Sequence, residues 1–197
     1  MQNKSLLSCV IVAAALFLSA DAFGVSATVR SKAELLDAVA KASDGNGLLV
    51  QDLDRFGAPV SAEQCVTAVK PTPAQLRDLA FGWKIVGNVK SNAIVVVKDG
   101  MTLGVGAGQM NRIGSAKIAL EQAEKTLSEE GRDIRSEGLV LASDGFFPFD
   151  DCVTLAAEYG VKAIVQPGGS IRDEDSVRKA DENGITMLFT GERHFKH

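Results

Sequence analysis

The sequence has few of the residues that usually hold metal ions. Three cysteines, Cys9, Cys65 and Cys152, and two histidines are spread over 197 residues. None of them has the paired short spacing of a zinc site. We therefore expect no metal, and we expect Cys65 and Cys152 to be reduced and buried.

Runs of basic residues are also absent. Lys and Arg number 21 against 25 Asp and Glu, which gives a net charge of -4, and they are scattered along the chain. Nothing in this pattern indicates a surface for nucleic acid. With 46% hydrophobic residues, the chain is long enough to bury the core of one domain or slightly more.

No apolar run has the length of a comfortable membrane span. The run from Leu6 to Leu18 is too short, so we expect no stable membrane span. Lys4 before the run and Ala20-Asp21-Ala22 after it predict a secretory or organelle-targeting leader over residues 1–22. A misassigned start codon is the alternative. Residues 23–46 are interpreted as a variable linker or a short helix.

Glycine alternates with other residues in GVGAG, where Gly104, Gly106 and Gly108 precede a predicted helix. A dinucleotide fingerprint needs a glycine at the place of Gln109, and no Gly-Lys-Ser/Thr follows, so both common phosphate-binding motifs are excluded. The missing side chains indicate a close approach of this strand end to neighbouring backbone or to a ligand. In either case we expect Arg112, on the helix that follows, to point into a ligand pocket at this strand end.

Strand-like and helix-like patterns alternate from Gly47 onward. Apolar runs predict strands at 47–51, 93–98, 102–107, 138–143, 162–166 and 185–189. Thr72 and Gln75 form a capping box that opens a helix at Pro73, and further helices are predicted at about 112–127, at about 150–159 and after Ser170. Continuous apolar strands are covered on both faces. The sequence therefore predicts a three-layer α/β/α sandwich.

Three loops after predicted strands are candidates for a site, because ligands of such sheets bind at the carboxyl ends of strands. Their sequences are SDGFFPFDD, PGGSIRDED and TGERHFKH. The aromatic run of the first loop has two explanations. Its rings could be buried, each stabilising the fold by roughly 2 kcal/mol, or they could stack on a flat heterocycle that donates to nearby carboxylates. The second explanation is favoured by the neighbouring Asp144, Asp150 and Asp151.

These loops, together with VKSNAIVVVKDGMTLGVGAGQMNRIGSAKIA, closely resemble the AICAR transformylase family. The resemblance runs in order from about Gly47 to His197. It implies that residues 47–197 are the carboxyl-terminal half of the transformylase domain, a cytidine deaminase-like unit without zinc. The family transfers a formyl group from 10-formyltetrahydrofolate to AICAR in IMP biosynthesis, in a protein that also carries an IMP cyclohydrolase domain.

The resemblance also implies roles for single residues. Asn92 matches the residue that positions the AICAR carboxamide, and Arg112 and Arg193 match further AICAR-binding positions. The folate-binding positions of the family fall on Ile113, Phe146, Asp151, Ser170 and Ile171. Amide, carboxylate and guanidinium groups are chemically suited to a carboxamide, a pterin and a phosphate, respectively.

One family feature is missing. The catalytic Lys-His pair of the family lies in a Ser-Phe-Lys-His stretch, which this sequence does not contain, and Lys196-His197 is only the family's usual chain end. We therefore expect the chain to be inactive alone. The family dimerises through the transformylase domain, and loss of the upstream unit is expected to uncover apolar surface on the helix around Leu76, Leu79 and Trp83 or on the strand at 93–98. We therefore also expect a homodimer or a complex with an upstream transformylase fragment. The alternative is a non-catalytic module that binds folate or a nucleotide. The family is cytosolic, which conflicts with the predicted leader.

Overall fold

A computed structural model describes Ala33 and residues 54–196. The predicted leader, the linker over 23–46 and the strand at 47–51 lie outside the described residues, apart from Ala33, which is helical. The chain divides into two compact units, residues 1–55 and 56–197. The description below concerns the second unit.

The second unit is built on a five-stranded sheet. The strands are β1 (Ile94–Lys98), β2 (Met101–Gly106), β3 (Val140–Ser143), β4 (Ala163–Gln166) and β5 (Thr186–Phe189). Their order across the sheet is β2-β1-β3-β4-β5. β1 is antiparallel to both of its neighbours, whereas β3, β4 and β5 are parallel. Five of the six predicted strands are therefore confirmed within one or two residues of their predicted ends.

Helices cover both faces of the sheet. They are α1 (Pro73–Val86), α2 (Arg112–Glu129), α3 (Asp151–Glu158) and α4 (Asp173–Glu182). The predicted capping box opens α1, where Gln75 N–H donates to Thr72 Oγ1 at 3.2 Å and Thr72 N–H donates to Gln75 Oε1 at 2.9 Å. The side chain of Asn111 caps α2 by accepting from Gly114 N–H at 2.8 Å.

Two apolar clusters fill the spaces between the layers. One lies between the sheet and α1, and it contains Leu79, Trp83 and Val95. The other lies between the opposite face and the remaining helices, and it contains Leu120, Phe147 and Val153. The predicted three-layer α/β/α sandwich is confirmed.

The structure corrects two expectations about which side chains are buried. Loss of a neighbouring unit was expected to uncover Leu76, Leu79 and Trp83 of the first helix or the strand at 93–98. This expectation was wrong, because Leu79 and Trp83 are buried against the sheet of the same unit, and the residues of β1 up to Val97 are fully buried as well. The two cysteines among the described residues, Cys65 and Cys152, are both free, but only Cys152 is buried and Cys65 is half-buried.

No helix among the described residues is long and apolar enough to cross a bilayer. This finding leaves the leader over residues 1–22 untested, because it lies outside the described part of the chain.

Candidate functional site

The candidate loops meet at one edge of the sheet. Gln166 at the end of β4 pairs with Phe189 at the end of β5, and Ser143 at the end of β3 pairs with Ile94 at the start of β1. Ile94 also pairs with Gly106 at the end of β2. Because β1 runs in the opposite direction, the loop that precedes it lies beside the loops that follow the other strands.

The alternating glycines of β2 serve close packing. A Cβ atom at Gly104 would lie 1.9 Å from the carbonyl oxygen of Ala119, and one at Gly106 would lie 1.9 Å from that of Ser115. Both oxygens belong to α2. The structure therefore supports the packing explanation at these two positions, because only glycine lets the backbone of α2 approach β2 so closely.

Arg112, the first residue of α2, points into the protein at this edge and is 7% exposed. Its Nη2 donates to Asn92 Oδ1 at 2.8 Å. Its Nη1 donates to Ser143 Oγ at 3.1 Å and forms an ion pair with Asp144 Oδ1. We call these four residues, Asn92, Arg112, Ser143 and Asp144, the Arg112 cluster. The structure thus brings two of the predicted AICAR-binding residues into direct contact.

Asn92 is held from three sides. Besides accepting from Arg112, its side chain donates through Nδ2 to the carbonyl oxygen of Gln109 at 2.8 Å. Its own carbonyl oxygen accepts from Ser115 Oγ at 2.7 Å. The amide is half-buried and fixed in orientation, as a group that positions a ligand needs to be.

Asp144 is completely buried. Its Oδ1 also accepts from the backbone N–H of Ala93 at 3.1 Å, while Oδ2 has no hydrogen-bond partner. The sequence had placed Asp144 among carboxylates that face a heterocycle. That interpretation was wrong for this residue, because the pairing of β1 with β3 carries the start of the loop into the interior.

The chain's last described residues close over the Arg112 cluster. The N–H of His194 donates to the carbonyl oxygen of Asp144 at 2.9 Å, and Ser91 N–H donates to that of Lys196 at 2.9 Å. The ring of the buried His194 packs between Phe56 and Trp83, with centroid distances of 4.4 and 4.7 Å.

This anchoring leaves Arg193, the third predicted AICAR-binding residue, on the surface. It is exposed, and its guanidinium carbon lies 5.8 Å from the centre of the Phe195 ring. The exposed Arg193 guanidinium is available to an anion, and the backbone of the next residue contacts the Arg112 cluster.

Gln166 connects the two loops that carry the predicted folate-binding residues. Its buried side chain accepts through Oε1 from Phe147 N–H at 3.1 Å and from Gly168 N–H at 3.3 Å. The sequence did not identify Gln166 as a site residue. The available signal was a lone amide at the end of an otherwise apolar strand.

The aromatic run after β3 divides between the two explanations. Phe147 is fully buried in the core, Phe146 is half-buried, and Phe149 is 49% exposed beneath Arg172, whose guanidinium carbon lies 5.2 Å from the ring centre. Burial therefore accounts for one ring, and the other two remain accessible to a ligand.

The remaining predicted folate-binding residues lie at the starts of helices or beside them. Asp151 begins α3, and its Oδ1 accepts from Cys152 N–H at 2.8 Å. Ser170 Oγ accepts from Arg172 N–H at 3.1 Å, and Ile171 is fully exposed. Ile113 is partly buried and packs against the core.

The start of α4 is acidic. Asp173, Glu174 and Asp175 occupy its first turn, and Asp173 Oδ2 accepts from the N–H of Gly169 at 2.6 Å. These carboxylates compensate the positive end of the helix dipole. The loop after β4 is therefore suited to a ligand that donates hydrogen bonds rather than to a phosphate.

Cys152 is not equipped for nucleophilic chemistry. Burial raises the pKa of its thiol well above the ordinary value, and the charge of Asp151 raises it further. The thiolate needed for attack or metal binding is thus disfavoured. Over residues 54–196, no three His, Cys, Asp or Glu side chains are grouped so that they could hold a metal ion.

Comparisons with known proteins find similarity to one family of purine biosynthesis proteins. The sequence model of the AICARFT/IMPCHase bienzyme matches residues 26–122. The bifunctional purine biosynthesis protein PurH of Anoxybacillus flavithermus is 58% identical over 151 residues, which cover 77% of this chain and 28% of that protein. The PurH protein of Bacillus subtilis is 52% identical over 173 residues, covering 88% and 31%. Over most of its length this chain is similar in sequence to the AICARFT/IMPCHase bienzyme family. It spans less than a third of the length of these relatives.

Solved structures of deaminases are also similar to this chain. A diaminohydroxyphosphoribosylaminopyrimidine deaminase/reductase from Thermotoga maritima is 26% identical with a TM-score of 0.38, covering 57% of this chain and 34% of that one. A guanine deaminase from Nitrosomonas europaea is 17% identical with a TM-score of 0.40, covering 71% and 89%.

Proposed function

We propose that this chain is part of a formyltransferase that moves a formyl group from 10-formyltetrahydrofolate to AICAR in IMP biosynthesis. The observation that carries the proposal is the contact between Asn92 and Arg112, with the segment around Arg193 closing over the same cluster. Sequence similarity to the bienzyme family gives this geometry a chemical context. Residues 47–197 would supply the carboxyl-terminal half of the transformylase domain.

In this proposal the Arg112 cluster holds the AICAR carboxamide. Asn92 has a fixed amide that can both donate to and accept from another amide. Arg112 orients Asn92, because one of its nitrogens donates to the Asn92 oxygen at 2.8 Å. Arg193 is exposed and binds an anionic part of the nucleotide with paired hydrogen bonds.

The folate lies against the loops that Gln166 connects. Phe146 offers a half-buried ring for stacking, and Asp151 accepts from N–H groups of the pterin. Ser170 and Ile171 supply further contacts from the loop after β4, and Ile113 contributes from the start of α2. 10-Formyltetrahydrofolate is a co-substrate here, and no metal takes part.

Transfer needs groups that this chain does not contain. Proton transfer typically contributes about 10²–10⁴-fold to a rate, and stabilisation of a developing oxyanion contributes about 10²–10³-fold. In the family these tasks belong to the Lys-His pair of the Ser-Phe-Lys-His stretch. We therefore propose that the 197 residues work with an upstream transformylase fragment, or as part of a homodimer that includes one.

The second candidate is a binding module without catalysis. It is favoured by the presence of both sets of ligand-binding candidates in a chain without the Lys-His pair. The two candidates differ in one result: addition of an upstream fragment from a PurH relative restores turnover in the first and not in the second.

Titration calorimetry tests the proposal with AICAR and with a stable 10-formyl folate analogue as separate ligands. We expect Asn92→Ala to weaken the binding of AICAR only, and Asp151→Ala to weaken the binding of the folate analogue only. Each affinity should fall by about ten-fold or more. Asn183→Ala and Asp175→Ala are controls, since Asn183 is an exposed amide on the end of α4 and Asp175 lies in a first helical turn. A wild-type chain that binds neither ligand would refute the proposal.

A further inference from the structure

The Arg112 cluster contains one positive and one negative charge, and both are buried. Arg112 is 7% exposed and Asp144 is completely buried. The two groups form an ion pair through Nη1 and Oδ1. The cluster as a whole is therefore close to neutral.

Asp144 also connects the three segments that carry the AICAR-binding candidates. Its Oδ1 accepts from Ala93 N–H at 3.1 Å, directly after Asn92, and its ion pair reaches Arg112. Its carbonyl oxygen accepts from His194 N–H at 2.9 Å, directly after Arg193.

Within this neutral pair the two charged groups differ in how fully they are hydrogen-bonded. Asp144 Oδ2 is buried and has no hydrogen-bond partner, whereas Arg112 already donates to Asn92 and Ser143. A ligand at Asn92 thus meets a guanidinium whose charge is balanced by the Asp144 carboxylate. A ligand that carries its own negative charge gains little from Arg112 and is repelled by Asp144.

We propose that Asp144 is the positioning residue that fixes Arg112 and makes the site select a neutral carboxamide over a carboxylate of the same shape. This inference rests on the proposed function, and it adds the rule by which the site discriminates. Rejection through an unfavourable charge is a common route to specificity, and it needs no direct contact between Asp144 and the ligand.

The test compares two ligands and two variants of the full chain by titration calorimetry. The ligands are AICAR and the same imidazole ribonucleotide with a carboxylate in place of the carboxamide. Wild type is expected to prefer AICAR. Asp144→Asn keeps the shape and removes the negative charge, so the preference should fall by about ten-fold or more, mainly through tighter binding of the carboxylate. Asp150→Asn, in the same loop and outside the cluster, should keep the wild-type preference.

A second readout does not depend on either ligand. Proton–nitrogen NMR of arginine side chains should give slowly exchanging guanidinium signals for Arg112 in wild type and in Asp150→Asn. These signals should be lost or broadened in Asp144→Asn. A wild type that binds neither ligand but keeps the signals would refute the proposed function and leave the positioning role intact.

Two results would overturn the inference. One is a wild type that binds AICAR while Asp144→Asn retains both the preference and the Arg112 signals. The other concerns folding: if Asp144→Asn does not fold, the double variant Arg112→Gln with Asp144→Asn removes both charges and should fold again, as expected for a buried pair. Failure of the double variant as well would assign Asp144 a purely structural role.

Discussion

The α-carbon of Gly106 faces the carbonyl oxygen of Ser115 so closely that a Cβ atom would lie 1.9 Å from that oxygen. Both atoms belong to rigid elements, β2 and α2, so neither can move aside cheaply. We expect Gly106→Val to destabilise the unit by about 2 kcal/mol or more, because it overpacks this contact. Thermal unfolding measures the effect, with Met101→Ala at the exposed start of β2 as the control. An unchanged melting temperature would contradict the close packing.

Gln166 should affect only the proposed folate side of the site. Gln166→Ala leaves the N–H groups of Phe147 and Gly168 without their shared acceptor. Each buried unpaired group costs about 1–3 kcal/mol. We therefore expect lower stability and weaker binding of the folate analogue, with AICAR affinity unchanged at a temperature where the variant is folded. Gln122→Ala removes an exposed bond from Val105 N–H elsewhere on the sheet and serves as the control for losing a glutamine that accepts from backbone. Equal losses for both ligands would argue against a local role.

The chain alone should not formylate AICAR. The motivation is the absence of a Ser-Phe-Lys-His stretch from its 197 residues. Spectrophotometry of tetrahydrofolate release measures the reaction. Turnover in the ordinary enzymatic range, about 1–10³ per second, would show that the chain carries a catalytic group of its own.

Stability should fall at alkaline pH, and Cys152 should contribute to the fall. Burial raises the pKa of its thiol above the ordinary value of 9.0. At pH values below the thiol pKa of the unfolded chain, the contribution of Cys152 to the free energy of unfolding is fully present. It is lost as the pH rises from the pKa of the unfolded chain to that of the folded chain. The slope is at most about 1.4 kcal/mol per pH unit for one proton.

Denaturant unfolding between neutral pH and about pH 11 measures this slope. Cys152→Ala should flatten it. Burial also raises the pKa of Tyr159, so Tyr159→Phe separates that second contribution. A Cys152→Ala variant with the wild-type slope would mean that the thiol does not titrate differently on unfolding.

The chain is expected to associate in solution. Large apolar side chains stand exposed on the loops of the candidate site, with Met110 at 98% and Phe149 at 49%. A net charge of -4 provides little repulsion between copies. Light scattering on purified protein without the predicted leader should give the mass of a dimer. A single mass near that of one chain at micromolar concentration would contradict this.

The sequence predicted the layers of the fold because its signals are local. The capping box at Thr72 and the apolar runs of the strands depend on neighbours in the chain, and the structure retains them. The contact between Asn92 and Arg112 was also accessible, through the resemblance of the surrounding segments. The burial of Asp144 could not be predicted, because it depends on the register that places Ser143 opposite Ile94. Register between strands far apart in sequence leaves no local pattern, and the acceptor role of Gln166 was hidden for the same reason.

The antiparallel β1 has a consequence for the order in which the protein matures during synthesis. The loop before β1 forms hydrogen bonds with residues that are synthesised much later. Ser91 N–H donates to the carbonyl oxygen of Lys196, and Ala93 N–H donates to Asp144 Oδ1. A nascent chain on the ribosome can pair β1 with β2 early, because only a tight turn separates them. The Arg112 cluster, in contrast, is closed only after residues 190–196 have left the exit tunnel. Closure of this cluster therefore comes after formation of the β1–β2 hairpin beside it.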